Sequence, residues 1–486
     1  MTFDLETILV FCIGALAYSA LLPRIWRGWA LLIGSVLAVY WLQPALRLPF
    51  ADYALPTATI TLTIAIWWFT RKPADETQQA TIREDAITLG LVTVIMIGIA
   101  ATRWVDLDFE LTSRPPNPFH VTLTLIGVGA AVIGTSLGLR GIGQKRQITG
   151  VILLIVGAFI ILKTESLATE AARFWREETG RNAALASPAD LAWLGYSYVA
   201  FRLIHTLRDR QTGRLPVLSL REFVTYVIFF PSITAGPIDR AERFVKDYRA
   251  LPEKLGLDPA RITEGLTRIG VGIFKKFIIA DTLAQGASLD MATATQADST
   301  VGLWLLLYGY ALRLFFDFSG YSDIAIGVAI LFGIKLPENF NRPYLKTNIT
   351  AFWQSWHITL SNWVRFYVFT PLSRFLLTRK PKPSPTLVVL SSQMSTMIVI
   401  GLWHGVTVNF LIWGIWHGVG LFIHKQWSDR TRAWFRGLND KPAQKRAWSI
   451  VGWFITFQFV VLGWVWFALP DFDQSLDVFR GLMGGL

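Results

Sequence analysis

Residues 383–424 read PSPTLVVLSSQMSTMIVIGLWHGVTVNFLIWGIWHGVGLFIH, a run of 42 residues without Asp, Glu, Lys or Arg, bounded by Lys382 and Lys425. A single membrane crossing takes only about 20 residues, so the run is long enough for two crossings joined by a turn. Outward from it, long uncharged stretches recur at 7–23, 28–46, 53–70, 86–102, 121–139, 147–162 and 447–470. Shorter or broken ones lie at 191–201, 223–238 and 300–312. Wound as helices, the longer stretches match a hydrocarbon core of roughly 30 Å. The expected fold is all-α: a polytopic membrane protein with about 11 transmembrane helices and re-entrant pieces in its second half.

Composition points the same way. Of 486 residues, 52% are hydrophobic and only 16% charged, with 21 Trp and 33 Phe. The mean hydropathy is +0.42. At roughly 150 residues each, the length would make about three soluble domains, but soluble domains need more charge to cover their surface. One cysteine, Cys12, excludes an internal disulfide framework and any CxxC site. With six histidines, a His-rich metal cluster is not expected, and no metal is assigned. A net charge of +12 would suggest nucleic acid in a soluble protein. In a membrane protein it reflects basic cytoplasmic loops facing anionic lipid, so the expected partner is membrane lipid and not nucleic acid. Asp4 and Glu6 precede the first span without a basic cluster, which is not the pattern of a secretory signal peptide.

Loop charges set the expected orientation. The loops after spans one, three, five and the 191–207 segment hold Arg24, Arg27, Arg71, Lys72, Arg83, Arg140, Lys145, Arg146, Arg208, Arg210 and Arg214. The intervening loops hold seven basic residues, among them Arg103, Arg114, Arg173 and Arg176, and more Asp and Glu. Eleven against seven places the first set in the cytoplasm and the N-terminus outside. Character also changes along the chain. Residues 1–190 are ordinary apolar helices with a charged, Ala-rich stretch at 163–189, read as an amphipathic helix on the outer surface. Residues 191–470 are apolar sequence repeatedly interrupted by Gly, Pro, Asn, Asp and His, and 471–486 form a tail. Irregular backbone at membrane depth persists only when protein or a water-filled cavity surrounds it, so a functional core is expected in 191–470.

Four clusters in that core carry candidate chemistry. FFPSITAGPIDR (229–240) cannot continue a regular helix and reads as a re-entrant loop or helix end ahead of direct substrate contact. FFDFSGYSD (315–323) places Asp317 and Asp323 in apolar sequence, where each needs a partner or a function. PENFNRPY (337–344) is followed by FWQSWHITLSNWVR (352–365), in which a helix would bring His357 and Ser361 to one face. There Trp353, Trp356 and Trp363 suggest an interface or a cavity wall. GLWHG (401–405) and WHG (416–418) put His404 near the turn of the expected hairpin, with glycines that would let a substrate chain approach. A lone histidine in apolar sequence is usually a core residue; two, each beside Trp, argue for function.

DFSGYSD (317–323), PENFN (337–341), WHITLS (356–361) and GLWHG (401–405), in that order, resemble the membrane-bound O-acyltransferase family. Within it, the chain is similar to the bacterial branch of alginate O-acetyltransferases and teichoic-acid D-alanyl transfer proteins. The resemblance covers about residues 191–425. The motifs at 317–323 and 337–341 look like the alginate type, whereas LGYSY (194–198) and GPIDR (236–240) look like the D-alanyl type. It implies transfer of an acyl group from a cytoplasmic thioester to an extracytoplasmic acceptor. His404 matches the family's catalytic histidine, His357 a second active-site position, and His417 a less essential one. Asp317, Asn341, Trp356, Ser361, Arg365, Trp403 and His417 are the expected substrate-binding residues.

The chemistry expected on that basis needs a base near neutral pH, which histidine supplies best. His404 takes that role, and His357 holds the thioester carbonyl or the hydroxyl in line. No permanently bound cofactor is expected; the donor is acetyl-CoA or a carrier-bound phosphopantetheine. The expected partners are a cytoplasmic donor or acyl carrier protein and an extracytoplasmic acyltransferase or polymer. Lys246, Arg249, Lys275, Lys276, Lys346, Arg374 and Arg379 are candidates for docking the anionic donor, with lipid head groups as the alternative. The expected location is the cytoplasmic membrane. Two rival readings stay open. In one, Ser361 is a covalent nucleophile with His357 as its base. In the other, the chain is an ion-coupled transporter with Asp317 and Asp323 as ligands.

Overall fold

The computed structural model describes residues 4–48, 50–71, 79–105, 111–113, 115–141, 143–254 and 256–485. Lys72 and Arg114, used above in counting loop charges, lie outside the described residues. The protein is an all-α polytopic membrane protein: all regular structure among the described residues is helical. By length and composition, six of these helices can cross a membrane: Ile82–Trp104, Pro118–Gly138, Gln144–Lys163, Thr300–Leu331, Pro385–His404 and Pro442–Ala468. Most other segments counted towards about 11 form shorter helices, among them the apolar Leu5–Leu21. The chain separates by its contacts into two compact units, Met1–Arg268 with Ala325–Leu336, and Ile269–Ile324 with Pro337–Leu486.

The first unit begins with α1 (Leu5–Leu21), α2 (Arg27–Trp41), α3 (Ala51–Thr70), α4 (Gln79–Ala101), α5 (Pro118–Gly138) and α6 (Gln144–Lys163). The buried threonines of α3 are satisfied within their own helix. In α3, Thr59, Thr63 and Thr70 donate to the carbonyls of Leu55, Thr59 and Ile66, one turn back. The charged stretch after α6 contains α7 (Glu165–Glu178), which is held by a buried bidentate pair. Arg176 Nε and Nη2 lie 2.7 and 3.0 Å from the two oxygens of Asp190. Then follow α8 (Tyr196–Gln211), α9 (Leu220–Val227), α10 (Ala241–Arg249) and the first part of α11 (Pro259–Ile273), whose end from Ile269 onward, Gly272 included, belongs to the second unit.

Between α9 and α10 the 229–240 cluster leaves the helix, as its prolines require. Its backbone is wired to one buried guanidinium: Arg202 donates to Val227 O at 2.8 Å, and to Ser232 O and Oγ at 2.9 and 2.7 Å. Tyr226 Oη closes the far end by donating to Asp239 O at 2.8 Å. These bonds satisfy buried carbonyls that would otherwise each cost about 1–3 kcal/mol. This is the architecture of a wired helix end.

The second unit contains a π-helical turn (Phe274–Ala280), α12 (Asp281–Ala284), α13 (Met291–Gln296), and the bulk of α14 (Thr300–Leu331). After them come α15 (Ile349–Trp353), α16 (Ile358–Val364), α17 (Thr370–Leu377), α18 (Pro385–His404), α19 (Val408–Gly437), α20 (Pro442–Ala468) and α21 (Phe472–Leu482). The run 383–424 is the expected hairpin of α18 and α19. The expected break after residue 312 is absent, and α14 runs unbroken through Arg313, Asp317 and Asp323. Tyr344 ties three elements together: its hydroxyl donates to Ala311 O at 2.9 Å and accepts from Trp464 Nε1 at 3.1 Å.

Candidate active site

The α14 motif divides by face. Asp317, Gly320 and Asp323 recur every three residues and so share one side of the helix. At Gly320 the helix meets Gly272 backbone to backbone: a Cβ on Gly320 would lie 2.8 Å from Gly272 O, and one on Gly272 would lie 2.6 Å from Gly320 O. On either side of this crossing Lys276 pairs with Asp317, and Lys275 Nζ lies 2.6 Å from Asp323 Oδ2. The carboxylates therefore bind helix to helix, and α14 tolerates them because their charges are matched. Asp317, expected at the substrate, has Lys276 as its partner. Lys275 and Lys276, expected to dock a donor, are engaged with these carboxylates. The carboxylates that a transporter would offer to a coupling ion already face ammonium groups.

The neighbouring side of α14 presents Phe318 and Ser322, four residues apart. The edge of one ring meets the other where Phe318 packs on His357, with centroids 4.7 Å apart. The expected helix through 352–365 is interrupted at this histidine: α15 ends at Trp353 and α16 starts at Ile358. His357 caps α16 with φ 43° and ψ 55°, the left-handed region. For a residue with a Cβ this costs about 1–2 kcal/mol. The side chain is buried at 2% exposure, and neither ring nitrogen has a hydrogen-bond partner among the described residues. Ser361 is not bonded to it: the Ser361 hydroxyl donates to Trp356 O at 3.2 Å. The serine–histidine dyad considered from the spacing is therefore not formed.

His404 is the last residue of α18, where the hairpin turns through 405–407 into α19. Its ring packs among Trp403 (4.5 Å), Phe467 (4.7 Å), Trp413 (5.7 Å) and Phe410 (5.8 Å). Trp403 also meets His357 at 5.9 Å, so one indole touches both histidines. Trp413 does the same for His404 and His417, which it meets at 4.8 Å. His417 is fully buried, with Trp353 and Phe459 also against its ring. The glycines around these histidines serve the hairpin itself. A Cβ on Gly414 would lie 2.7 Å from Met397 O, and one on Gly401 would collide with Phe410 O. They let α18 and α19 touch, which replaces the expected role of admitting a substrate chain.

The remaining expected residues lie around this group or away from it. Trp356 is buried in aromatic packing, 5.2 Å from both Phe340 and Trp464. Asn341 is exposed, and its N–H donates to Ser355 O at 2.9 Å. Arg365 is exposed at the start of a second π-helical turn, Arg365–Phe369. Of the nine residues, the structure thus joins His357, Trp403, His404 and His417, and Trp356 reaches them through Trp464, which also meets His417. Sequence reasoning missed Asn339, Phe318, Trp413 and Phe467. The i, i+4 spacing of Phe318 and Ser322 was a usable signal, whereas Phe467 lies too far along the chain for any spacing rule.

In the first unit, donor atoms of His205, Asp209 and Glu242 lie within 4.8 Å of one another. Arg240 Nη2 stands 3.0 Å from Asp209 Oδ2 and 3.2 Å from Glu242 Oε1. A guanidinium therefore already supplies the positive charge that a metal ion would bring to these carboxylates.

Residues 151–467 match the model of the membrane-bound O-acyltransferase family. The chain is 34% identical over 289 residues to the peptidoglycan O-acetyltransferase of Helicobacter pylori, covering 57% of this chain and 51% of that protein. It is 38% identical over 279 residues to the probable alginate O-acetylase AlgI of Pseudomonas fluorescens, with the same two coverages of 57% and 51%. With the teichoic acid D-alanyltransferase of Streptococcus thermophilus the identity is 35% over 292 residues, covering 57% of this chain and 68% of that protein. The chain thus spans about half the length of the first curated relatives it matches. The motifs from 317 to 405, the paired helices beneath them and the histidines strung on Trp403 and Trp413 all lie inside the matched segment, and the chain belongs to the membrane-bound O-acyltransferase family.

Proposed function

We propose that this protein moves an acyl group, acetyl in the first instance, from a cytoplasmic thioester to a cell-envelope polysaccharide or to a relay protein outside the cytoplasmic membrane. The observation that carries the reading is His404 at the hairpin turn, sharing the Trp403 indole with His357. In the reaction, His404 takes the proton of the attacking hydroxyl as its oxygen bonds to the thioester carbonyl carbon. The tetrahedral oxyanion then collapses, the carbon–sulfur bond breaks, and the departing thiolate recovers the proton from His404. His357 faces the same space and steadies the carbonyl or the hydroxyl. The rings around His404 limit water, which disfavours thioester hydrolysis and strengthens hydrogen bonds to the oxyanion. The donor is coenzyme A or a carrier-bound phosphopantetheine, and Lys246, Lys346, Arg374 and Arg379 remain candidates for docking its phosphates.

The test compares His404→Gln with His417→Gln in cells, reading alkali-released acyl ester per unit of folded protein. A general base contributes about 10²–10⁴-fold, so the first variant should fall by at least two decades at normal expression while the second keeps substantial activity. Equal activity in the two would end the assignment of His404. D-alanyl transfer is the second reading, supported by LGYSY (194–198) and GPIDR (236–240), which look like the D-alanyl type. Chromatography of the released acid separates acetate from D-alanine directly.

A further inference from the structure

Asn339 is 1% exposed and makes four hydrogen bonds, three of them to the two residues that follow His357. Its carbonyl oxygen accepts from Ile358 N at 2.9 Å. Its side-chain Oδ1 accepts from the Thr359 hydroxyl at 2.6 Å and from Thr359 N at 3.4 Å. Its Nδ2 donates to Ser322 Oγ on α14 at 3.2 Å. The amide orientation is forced, because a backbone N–H can only donate. One side chain thus ties the first turn of α16 to the face of α14 that carries Phe318. Between those anchors sits His357, buried, left-handed and pressed on the Phe318 ring. A non-glycine residue in that conformation persists only where its surroundings over-determine it, and such outliers cluster at functional sites.

We infer that Asn339 is a positioning residue: its amide holds the His357 cap in its left-handed turn and so aims the imidazole at the space bounded by Trp403. The inference rests on the reading of His357 and His404 as the acyl-transfer site. Asn339 touches no reacting atom. Its effect on transfer passes entirely through His357.

A merely structural residue would lower transfer in any background, whereas one that acts through His357 has no further effect once the imidazole is gone. Asn339→Ala and Thr359→Val, which remove the two ends of the 2.6 Å bond, are made in the full-length protein and again in a His357→Gly background. Glycine accepts the left-handed backbone without strain. Alkali-released acyl ester is read in cells and normalised to monodisperse protein recovered from the membrane. In the wild-type background each variant should lose up to about a hundredfold, the loss that a misplacement of about 1 Å can produce. Thr359→Ser, which keeps the hydroxyl, should restore most of the activity. In the His357→Gly background neither variant should lower the residual activity further. An equal loss in both backgrounds overturns the inference, as does full activity of Asn339→Ala with His357→Gly inactive. Full activity of His357→Gly would overturn the site assignment together with the inference.

Discussion

Asp317→Asn isolates what the α14 carboxylate does. Its partner Lys276 is the more enclosed of the two, with a side chain 9% exposed against 29% for Asp317. The substitution therefore strands an ammonium against the Gly272–Gly320 crossing. Removing one member of a buried pair costs about 3–5 kcal/mol, and at about 1.4 kcal/mol per decade even the lower figure is about two decades in the ratio of folded to unfolded protein. Lys276→Met strands the more accessible partner and should fall nearer the lower figure. The double variant Lys276→Met/Asp317→Leu removes both charges; apolar replacement of a buried pair is neutral or stabilising by about 1–4 kcal/mol. The expected order of stability is wild type close to the double variant, then Lys276→Met, then Asp317→Asn. The measurement is monodisperse protein remaining after a heating series, read by size-exclusion chromatography, with acyl transfer per folded molecule measured alongside. Wild-type heat resistance in Asp317→Asn combined with abolished transfer, and no recovery in the double variant, would refute the structural role and place the carboxylate in the chemistry.

Topology is tested by reporters: one fused after Arg146 should be cytoplasmic and one within 163–189 external, and reversed labelling would exchange the donor and acceptor sides. Charge reversal at Lys246 and Lys346 should raise the KM for acetyl-CoA more than it lowers kcat; an unchanged KM in folded protein removes both from donor docking. Gly401→Val forces a side chain against Phe410 O, an overpacking that costs about 1–3 kcal/mol or more, and should reduce folded yield and transfer together. Gly437→Ala meets nothing within 4 Å at the end of α19 and should express at least as well as wild type, since alanine favours the helix.

The α18–α19 hairpin and the place of His404 at its turn were legible because both depend on a local count of uncharged residues. Helix α14 was misread for the opposite reason. Arg313, Asp317 and Asp323 look like interruptions, and what permits them is distant in sequence: Lys275 and Lys276, and for Arg313 a 3.0 Å bond to Ser288 Oγ. Those same lysines, read in isolation as solvent-facing charges, were assigned to the donor. His357 and Ser361 were placed on one helix because spacing alone cannot reveal that the helix begins one residue late. The left-handed cap is enforced by Asn339, and nothing local to 352–365 announces it. The glycines beside the histidines were recognised as permitting close approach; only the structure identifies the approaching object as the neighbouring helix.

The glycine-packed hairpin has a consequence for biosynthesis. His404 and Trp413 are nine residues apart, whereas His357 is 39 residues from Phe318. Contacts of short separation close early, since the entropy lost in closing a loop grows with its length. The hairpin can therefore form as a unit when α19 is made, after α14 and the His357 joint are already in place. A chain stalled between residues 357 and 404 holds His357 but not His404, the proposed base, so on that proposal unfinished molecules in the membrane carry out no acyl transfer. The exposed connection at 379–382 marks where the gene could be divided in two, the distal fragment bringing His404 to a proximal fragment that carries His357.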